Sequence, residues 1–243
     1  MSQLNTVLIV GNGGRESAII DTIVKSTDVG KVYTLDNKYF DLPLFNIPDY
    51  RKIQNIEIEN ISVANIVQFS VDNSVNLVIV GSEVYLSQGI VDSCLLKGIP
   101  CFGPMMDMAL IETSKIYAKE IMAKLGLPTA DYKTFNTFKD ASTFLSSPPK
   151  QRQECYHVLK ADGLAAGKGV HVIPDNEWPI GQKQIDEGNT FLKSLFDKNP
   201  NGKVLLEKRL YGDEVSVLAF CDGYNVTLMP PARDFKRIYD GDS

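Results

Sequence analysis

Residues 158–172 read VLKADGLAAGKGVHV and constrain the chain more than any other stretch. Two apolar runs flank a loop in which Gly163, Gly167 and Gly169 leave little side-chain bulk. The pattern predicts strand, loop, strand. Backbone N–H groups of such a loop can close around an anion, and Lys168 adds a positive charge there. The stretch therefore predicts a loop that covers nucleotide phosphates. A glycine-rich β-hairpin without a ligand fits the same residues. A Walker A loop does not fit, because that motif needs four residues between its glycines, then Lys and Ser/Thr leading into a helix. Here three residues separate Gly163 from Gly167, Gly169 follows Lys168, and residues 170–173 read as a strand.

The amino end reads as the opening of a doubly wound α/β unit. Residues 6–10 (TVLIV) form a buried-type strand that runs into Gly11-Asn12-Gly13-Gly14-Arg15-Glu16, and residues 17–24 have helical spacing. Glycines at such a turn allow close backbone approach, and the helix start favours an anion. The dinucleotide fingerprint is not met, since Glu16 stands where its third glycine belongs. Arg15 points to a phosphate held by a guanidinium, although a tight turn with a solvated Arg–Glu pair fits as well. Further strands are predicted at 31–35, 76–80 and 99–102, with helices at 62–69, capped by Ser62, and 86–96. Residues 39–50 read as irregular. Glu83 follows the strand at 76–80, where parallel sheets place ligands, and could equally cap the next helix. The β-α alternation stops at Gly103-Pro104, which divides the chain into 1–103 and 104–243.

In the second part, residues 105–110 and 114–125 read as helices, the latter stopped by Gly126-Leu127-Pro128. Lys115, Lys119 and Lys124 lie on or near one face, the ordinary pattern of a solvated surface. A strand at 131–135 and a helix at 137–145 follow. Residues 177–188 read as a polar loop containing the only tryptophan, Trp178, before a helix at 190–197. Residues 204–207 (VLLE) form an apolar strand ending in a carboxylate. A hairpin is predicted for 215–221 and 224–229 around Asp222-Gly223. The charged end, 230–243, reads either as a substrate loop or as a frayed terminus.

Net charge is −5, from 25 Lys+Arg and 30 Asp+Glu, against a nucleic-acid module, which shows a basic excess. Cys94, Cys101, Cys155 and Cys221 are scattered without a CxxC pair, and His157 and His171 flank the glycine loop. This is the usage of free thiols in a reducing compartment, not of a zinc site. There is no signal-peptide pattern and no apolar run near 18 residues, so the expectation is a cytoplasmic protein without a membrane segment.

Six pieces stand in one order: GNGGRE, GSEVYLSQGIVD, FGP with ETSKIYAKEIM, LKADGLAAGKGV, LLEKRLYGDEVSV and ARDFKRIYDGD. Together they resemble the phosphoribosylamine–glycine ligase family of the ATP-grasp superfamily, over nearly the whole chain. The resemblance implies an α/β architecture: a Rossmann-like (pre-ATP-grasp) parallel-sheet domain, then an incomplete α+β ATP-grasp domain. Of the latter, about 126–206 would be the small lid subdomain and 207–243 the start of the large one. The implied reaction joins glycine to 5-phosphoribosylamine with ATP and Mg²⁺ (or Mn²⁺), through glycyl phosphate, in purine biosynthesis. No protein nucleophile is implied. Domains of this kind can be fused to other purine-pathway domains.

Carried over by motif, Lys115 and Lys160 match lysines on ATP phosphates, and Gly163 to Gly169 with Gly167 and Lys168 match the mobile phosphate loop. Glu207 to Leu210 match the adenine hinge, and Glu214 a carboxylate on the ribose of ATP. Asn12, Gly13, Gly14, Arg15, Glu16 and Glu83 match the phosphoribosylamine side, and Asp234, Lys236 and Arg237 the substrate-facing loop. The chain departs from the usual GGREH, with Ser17 for histidine, and from GPEAPL, which reads GSEVYL. It also departs from QDHKR, with Arg233 and Phe235. The family continues beyond DGD with the half that carries the Glu and Asn ligands for Mg²⁺. The expectation is therefore an amino-terminal portion with no metal ligand of its own, inactive alone. Two other readings are a non-catalytic nucleotide-binding or interaction protein derived from the ligase, and a related carboxylase acting on aminoimidazole ribonucleotide. KADGLAAGKGV speaks against the carboxylase.

Overall fold

The computed structural model describes residues 5–35, 50–147, 156–165, 169–174 and 181–233. Five parallel strands form the first sheet: β1 (Thr6–Val10), β2 (Lys31–Leu35), β3 (Ile53–Ile56), β4 (Leu77–Val80) and β5 (Cys101–Phe102), in the order β3-β2-β1-β4-β5. Central β1 is covered on both faces. Leu8 and Val10 pack with Ile66, Val78 and Ile90, while Val7 and Ile9 pack with Ile20, Val24 and Val32. A strand buried on both faces reads as an unbroken apolar run, which is why TVLIV lacks alternation. Each fully buried Leu or Ile there contributes about 1.5–3 kcal/mol. The chain moves from β1 outward through β2 and β3, then returns to β4 on the other side of β1. That reversal opens a crevice at the carboxyl ends of β1 and β4.

Several helices differ from their expected limits, each for a local reason. Helix α1 (Gly14–Ile23) starts at Gly14 rather than 17, because the Glu16 carboxylate folds back to accept the Gly13 N–H at 2.7 Å and closes the first turn. Ser62 caps α2 (Val63–Asp72) by accepting the Asn65 N–H. The single helix expected at 86–96 is two, α3 (Glu83–Ser87) and α4 (Ile90–Leu96), parted at Gly89, whose φ of +76° breaks the spiral. Helix α5 spans Met106–Thr113, and α6 spans Lys115–Lys124 with Ser114 as its cap. Strand β3 was not expected: its IQNI pattern is polar at the middle two positions, as suits the edge of a sheet.

The second sheet is antiparallel, in the order β6-β9-β7-β8, built from β6 (Tyr132–Phe135), β7 (Val158–Ala161), β8 (Val170–Val172) and β9 (Val204–Glu207). Helices α7 (Phe138–Leu145) and α8 (Gln182–Lys198) cover one face, where Leu159, Val204 and Leu206 meet Ala141, Leu145, Leu192 and Phe196. Alternation along the strands sends Val158, Lys160, Leu205 and Glu207 to the opposite face. The expected hairpin at 158–172 is present as β7 and β8. The chain then forms β10 (Val215–Ser216), β11 (Ala219–Cys221), β12 (Val226–Leu228) and β13 (Ala232–Arg233), with β11 paired to β12 and β10 to β13.

Residues 182–188 were expected in a loop, yet they open α8. Gly188 explains the misreading. It lies mid-helix, where a Cβ would sit 2.8 Å from Leu145 Cδ2 and 3.0 Å from Ile173 Cδ1. Close helix–sheet packing therefore overrides its poor helical propensity. Gly188→Val is expected to lower the unfolding free energy by about 2 kcal/mol through overpacking, measured by urea denaturation.

Candidate functional site

The crevice at the first sheet encloses about 340 Å³ and is lined by Asn12, Gly13, Gly14, Arg15, Glu16, Gly81, Ser82 and Glu83. All six residues matched to the phosphoribosylamine side meet here. Arg15 Nη1 donates to Gly81 O at 2.6 Å and pairs with Glu83 Oε2 at 3.3 Å. Both side chains are exposed enough that the pair contributes little stability, so the guanidinium remains available to an anion. Glu83 opens α3, so it stands in the helix's first turn and faces the crevice at once.

Glu16 is 4% exposed and turned inward. Its carboxylate lies between the ends of β1 and β4: a Cβ on Gly11 would sit 2.6 Å from Oε1, and one on Gly81 only 2.2 Å away. The two glycines are thus required by the carboxylate as much as by the turns. Ser17 is buried, and its hydroxyl donates to the carbonyl of Gly13, the cap of its helix.

The second constellation lies where α6 meets the open face of the antiparallel sheet. Ser114 Oγ donates to the Asp162 carboxylate at 3.0 Å, and the Ile116 N–H donates to the same carboxylate at 3.1 Å. Lys115 Nζ donates to Gly163 O at 2.9 Å. These bonds tie the start of the glycine loop to the start of α6. Asp162 was not singled out from the sequence; its position directly after the Lys160 strand was the available signal. Gly163 has φ +96°, which a side chain would strain, and a Cβ on Gly169 would meet Ala165 Cβ at 2.4 Å. Gly167 and Lys168 lie outside the described residues.

Lys160 Nζ pairs with Glu207 Oε1, and Lys119 Nζ lies 2.8 Å from Glu207 Oε2. The lysine row on α6 is therefore not one solvated face: Lys119 is buried while Lys124 is exposed. Burial pushes the Lys115 pKa below its ordinary 10.5; Asp162 pulls it back and the charge of Lys160 lowers it further. Lys115 and Lys160 thus repel one another across the loop's first residues, a field that an anion would relieve. Leu210 and Glu214 lie on the exposed segment between β9 and β10, and Arg233 on β13 is 3.6 Å from Asp213. Asp234, Lys236, Arg237 and Phe235 lie outside the described residues. Among the described residues no three His, Cys, Asp or Glu side chains gather as a metal site, and no helix is long and apolar enough to cross a membrane.

A parallel-sheet domain followed by an antiparallel sheet with a glycine loop and two converging lysines defines an ATP-grasp protein. Residues 5–112 match the phosphoribosylglycinamide synthetase N domain, and residues 113–243 the ATP-grasp (A) domain of the same family. The chain belongs to the phosphoribosylglycinamide synthetase family. It is 37% identical over 242 residues to a phosphoribosylamine–glycine ligase of Caldanaerobacter subterraneus, covering 97% of this chain and 52% of that protein. It is 34% identical over 242 residues to the bifunctional purine biosynthetic protein purD of Dictyostelium discoideum, covering 100% of this chain and 28% of that protein. The crystal structure of the Thermotoga maritima phosphoribosylamine–glycine ligase superposes with a TM-score of 0.71 at 26% identity, covering 98% of this chain and 52% of that one. The chain thus spans about half the length of the single-function relatives it matches.

The Glu16 packing yields a paired prediction. Gly81→Ala is expected to destabilise by about 1–3 kcal/mol. Gly14→Ala, where a Cβ meets nothing within 4 Å, should stay within about 0.5 kcal/mol of the parent. Thermal unfolding of the two variants checks it.

Proposed function

We propose that this chain supplies the nucleotide site and the ribose-phosphate site of a ligase that joins glycine to 5-phosphoribosylamine, giving glycinamide ribonucleotide, ADP and phosphate. The single observation that carries the reading is the convergence of Lys115 and Lys160 at the start of the glycine loop, with Lys115 depressed in pKa. In this reading the glycine carboxylate attacks the γ-phosphorus of ATP, the β–γ bridge bond breaks, and ADP leaves. The amine of phosphoribosylamine then attacks the carbonyl of glycyl phosphate and expels phosphate. The two lysines neutralise the phosphates, and the loop at 163–169 shields the acyl phosphate from water. The crevice around Arg15 and Glu83 holds phosphoribosylamine, its phosphate against Arg15 and the start of α1. Leu210 and the end of β9 take the adenine, Glu214 the ribose, and Asp234, Lys236 and Arg237 the substrate.

Magnesium or manganese would supply charge neutralisation of the phosphates, but the described residues do not fit such an ion. The Asp162 carboxylate is already engaged by Ser114 and the Ile116 N–H. The domain division at 103, a cytoplasmic location and fusion to other purine-pathway domains belong to the same reading. Supporting it are the free thiols of Cys94, Cys101 and Cys221 and the multifunctional relative in Dictyostelium.

Calorimetric titration with ADP tests the nucleotide site. Lys160→Ala is expected to raise Kd about tenfold or more, roughly 1.4 kcal/mol, while exposed Lys124→Ala leaves it within about twofold. Equal affinities would remove Lys160 from the phosphates. A bound polyphosphate also favours charged Lys115, so its pKa rises towards 10.5 on binding. Protons are then taken up in the alkaline window between the depressed and ordinary values. Binding enthalpies measured there in buffers of different ionisation enthalpy should differ, and should coincide in Lys115→Met.

A further inference from the structure

Lysine side chains on helices normally keep their ammonium in water. Lys119 does not: the residue is 8% exposed, and its ammonium has two hydrogen-bond acceptors and one charged partner, in that order. They are Thr129 Oγ1 at 2.7 Å, Ala130 O at 3.1 Å and Glu207 Oε2 at 2.8 Å. Burying a charge so completely is costly unless it is hydrogen-bonded and paired, and here two hydrogen bonds and one carboxylate meet it. Thr129 and Ala130 lead into β6, so Lys119 joins α6 to the start of β6 and the end of β9. The carboxylate it grips serves a second lysine through its other oxygen. Lys160 keeps 25% of its side chain exposed, on the open face of the sheet beside Lys115.

Charge counting gives this sharing its meaning. One carboxylate between two ammonium groups leaves one positive charge in surplus. A carboxylate serving Lys160 alone would leave none. Lys160 would then be held by a full partner and would meet an incoming phosphate as one half of a neutral pair.

Resting on the nucleotide reading above, we propose that Lys119 is a positioning residue: by engaging one oxygen of Glu207 it orients Lys160 and leaves the cluster the positive surplus that a nucleoside polyphosphate needs. It acts through Glu207, without itself touching the ligand.

The test uses the full 243-residue chain with ADP, adenosine and inorganic tripolyphosphate as probes. Lys119→Met is expected to weaken ADP and tripolyphosphate about tenfold and adenosine by no more than about threefold, since the phosphates meet Lys160 directly while the adenine meets only the Glu207 end of β9. Lys119→Arg should restore most of the ADP affinity. In a Glu207→Gln background the Lys119→Met effect should shrink to about twofold or less, because the shared carboxylate is gone. A purely structural Lys119 would weaken all three probes alike, and that result overturns the proposal. A second readout needs no ligand. The ¹⁵N-detected ammonium signal of Lys160, assigned through Lys160→Arg, should shift in Lys119→Met, with its protons exchanging with water at least about twofold more slowly. An unchanged Lys160 signal overturns the proposal even if ADP affinity falls. If the parent chain binds neither ADP nor tripolyphosphate, the nucleotide reading fails, and the ammonium signal alone decides whether Lys119 positions Lys160. Should Lys119→Met not fold, Lys119→Gln carries the same expectations.

Discussion

The carboxylate of Glu207 is the point on which the second half of the molecule turns. It closes β9, it meets Lys160 from the neighbouring strand, and it meets Lys119 from the helix laid across the open face. Removing one member of a buried ion cluster of this kind costs on the order of 3–5 kcal/mol, mostly for the charge left behind. The consequence reaches the next helical turn. Once Lys119 is fixed, the orientation of α6 is fixed, and Lys115 at its first position is delivered to the first glycine of the loop. Ser114 and the Ile116 N–H then clamp Asp162 from the other side. Strand, loop and helix start are therefore held by charge and hydrogen bonds, where the sheet's other face is held by Leu, Val and Phe.

The two constellations differ in kind. At the first sheet the buried acid, Glu16, lies against glycines and accepts a backbone N–H, while the cation Arg15 stays outside. At the second sheet a buried and a half-buried lysine share an acid. The proposed binding of phosphate at both places needs positive potential at both, yet the chain as a whole is acidic. Gathering the lysines beside the glycine loop and the arginine at the start of α1 concentrates the little positive field available, and low-dielectric walls strengthen it.

Much of the fold was legible in the sequence. Unbroken apolar runs such as TVLIV and NLVIV declared strands buried on two faces, and the glycine loop declared its hairpin. What escaped has identifiable causes. Gly188 reads as a helix breaker, and only the approach of Leu145 and Ile173 reveals why a helix tolerates it. The break at Gly89 is carried by a positive φ that composition does not announce. The edge strand β3 has no hydrophobic signature, because an edge needs none. In the sites, Arg15, Glu83, Lys115 and Lys160 could be picked out by motif. Lys119 and Asp162 could not, since their roles come from partners far along the chain, Glu207 and Ser114. A helix that places one lysine in water and another under a sheet looks, in sequence, like a row of equivalent charges.

Glu16 lies in a slot bounded by the ends of two strands that are neighbours in space and far apart in the chain. Its side-chain length sets how near the loop after β1 can come to the loop after β4. Both loops line the same hollow. The width of that hollow is therefore set by an internal spacer and not by the residues that face solvent. A larger residue at position 11 or 81 would collide with the acid at 16, so the three positions are sterically coupled. Tuning what the hollow accepts is left to its rim, at Arg15, Ser82 and Glu83, where substitution leaves the spacing untouched.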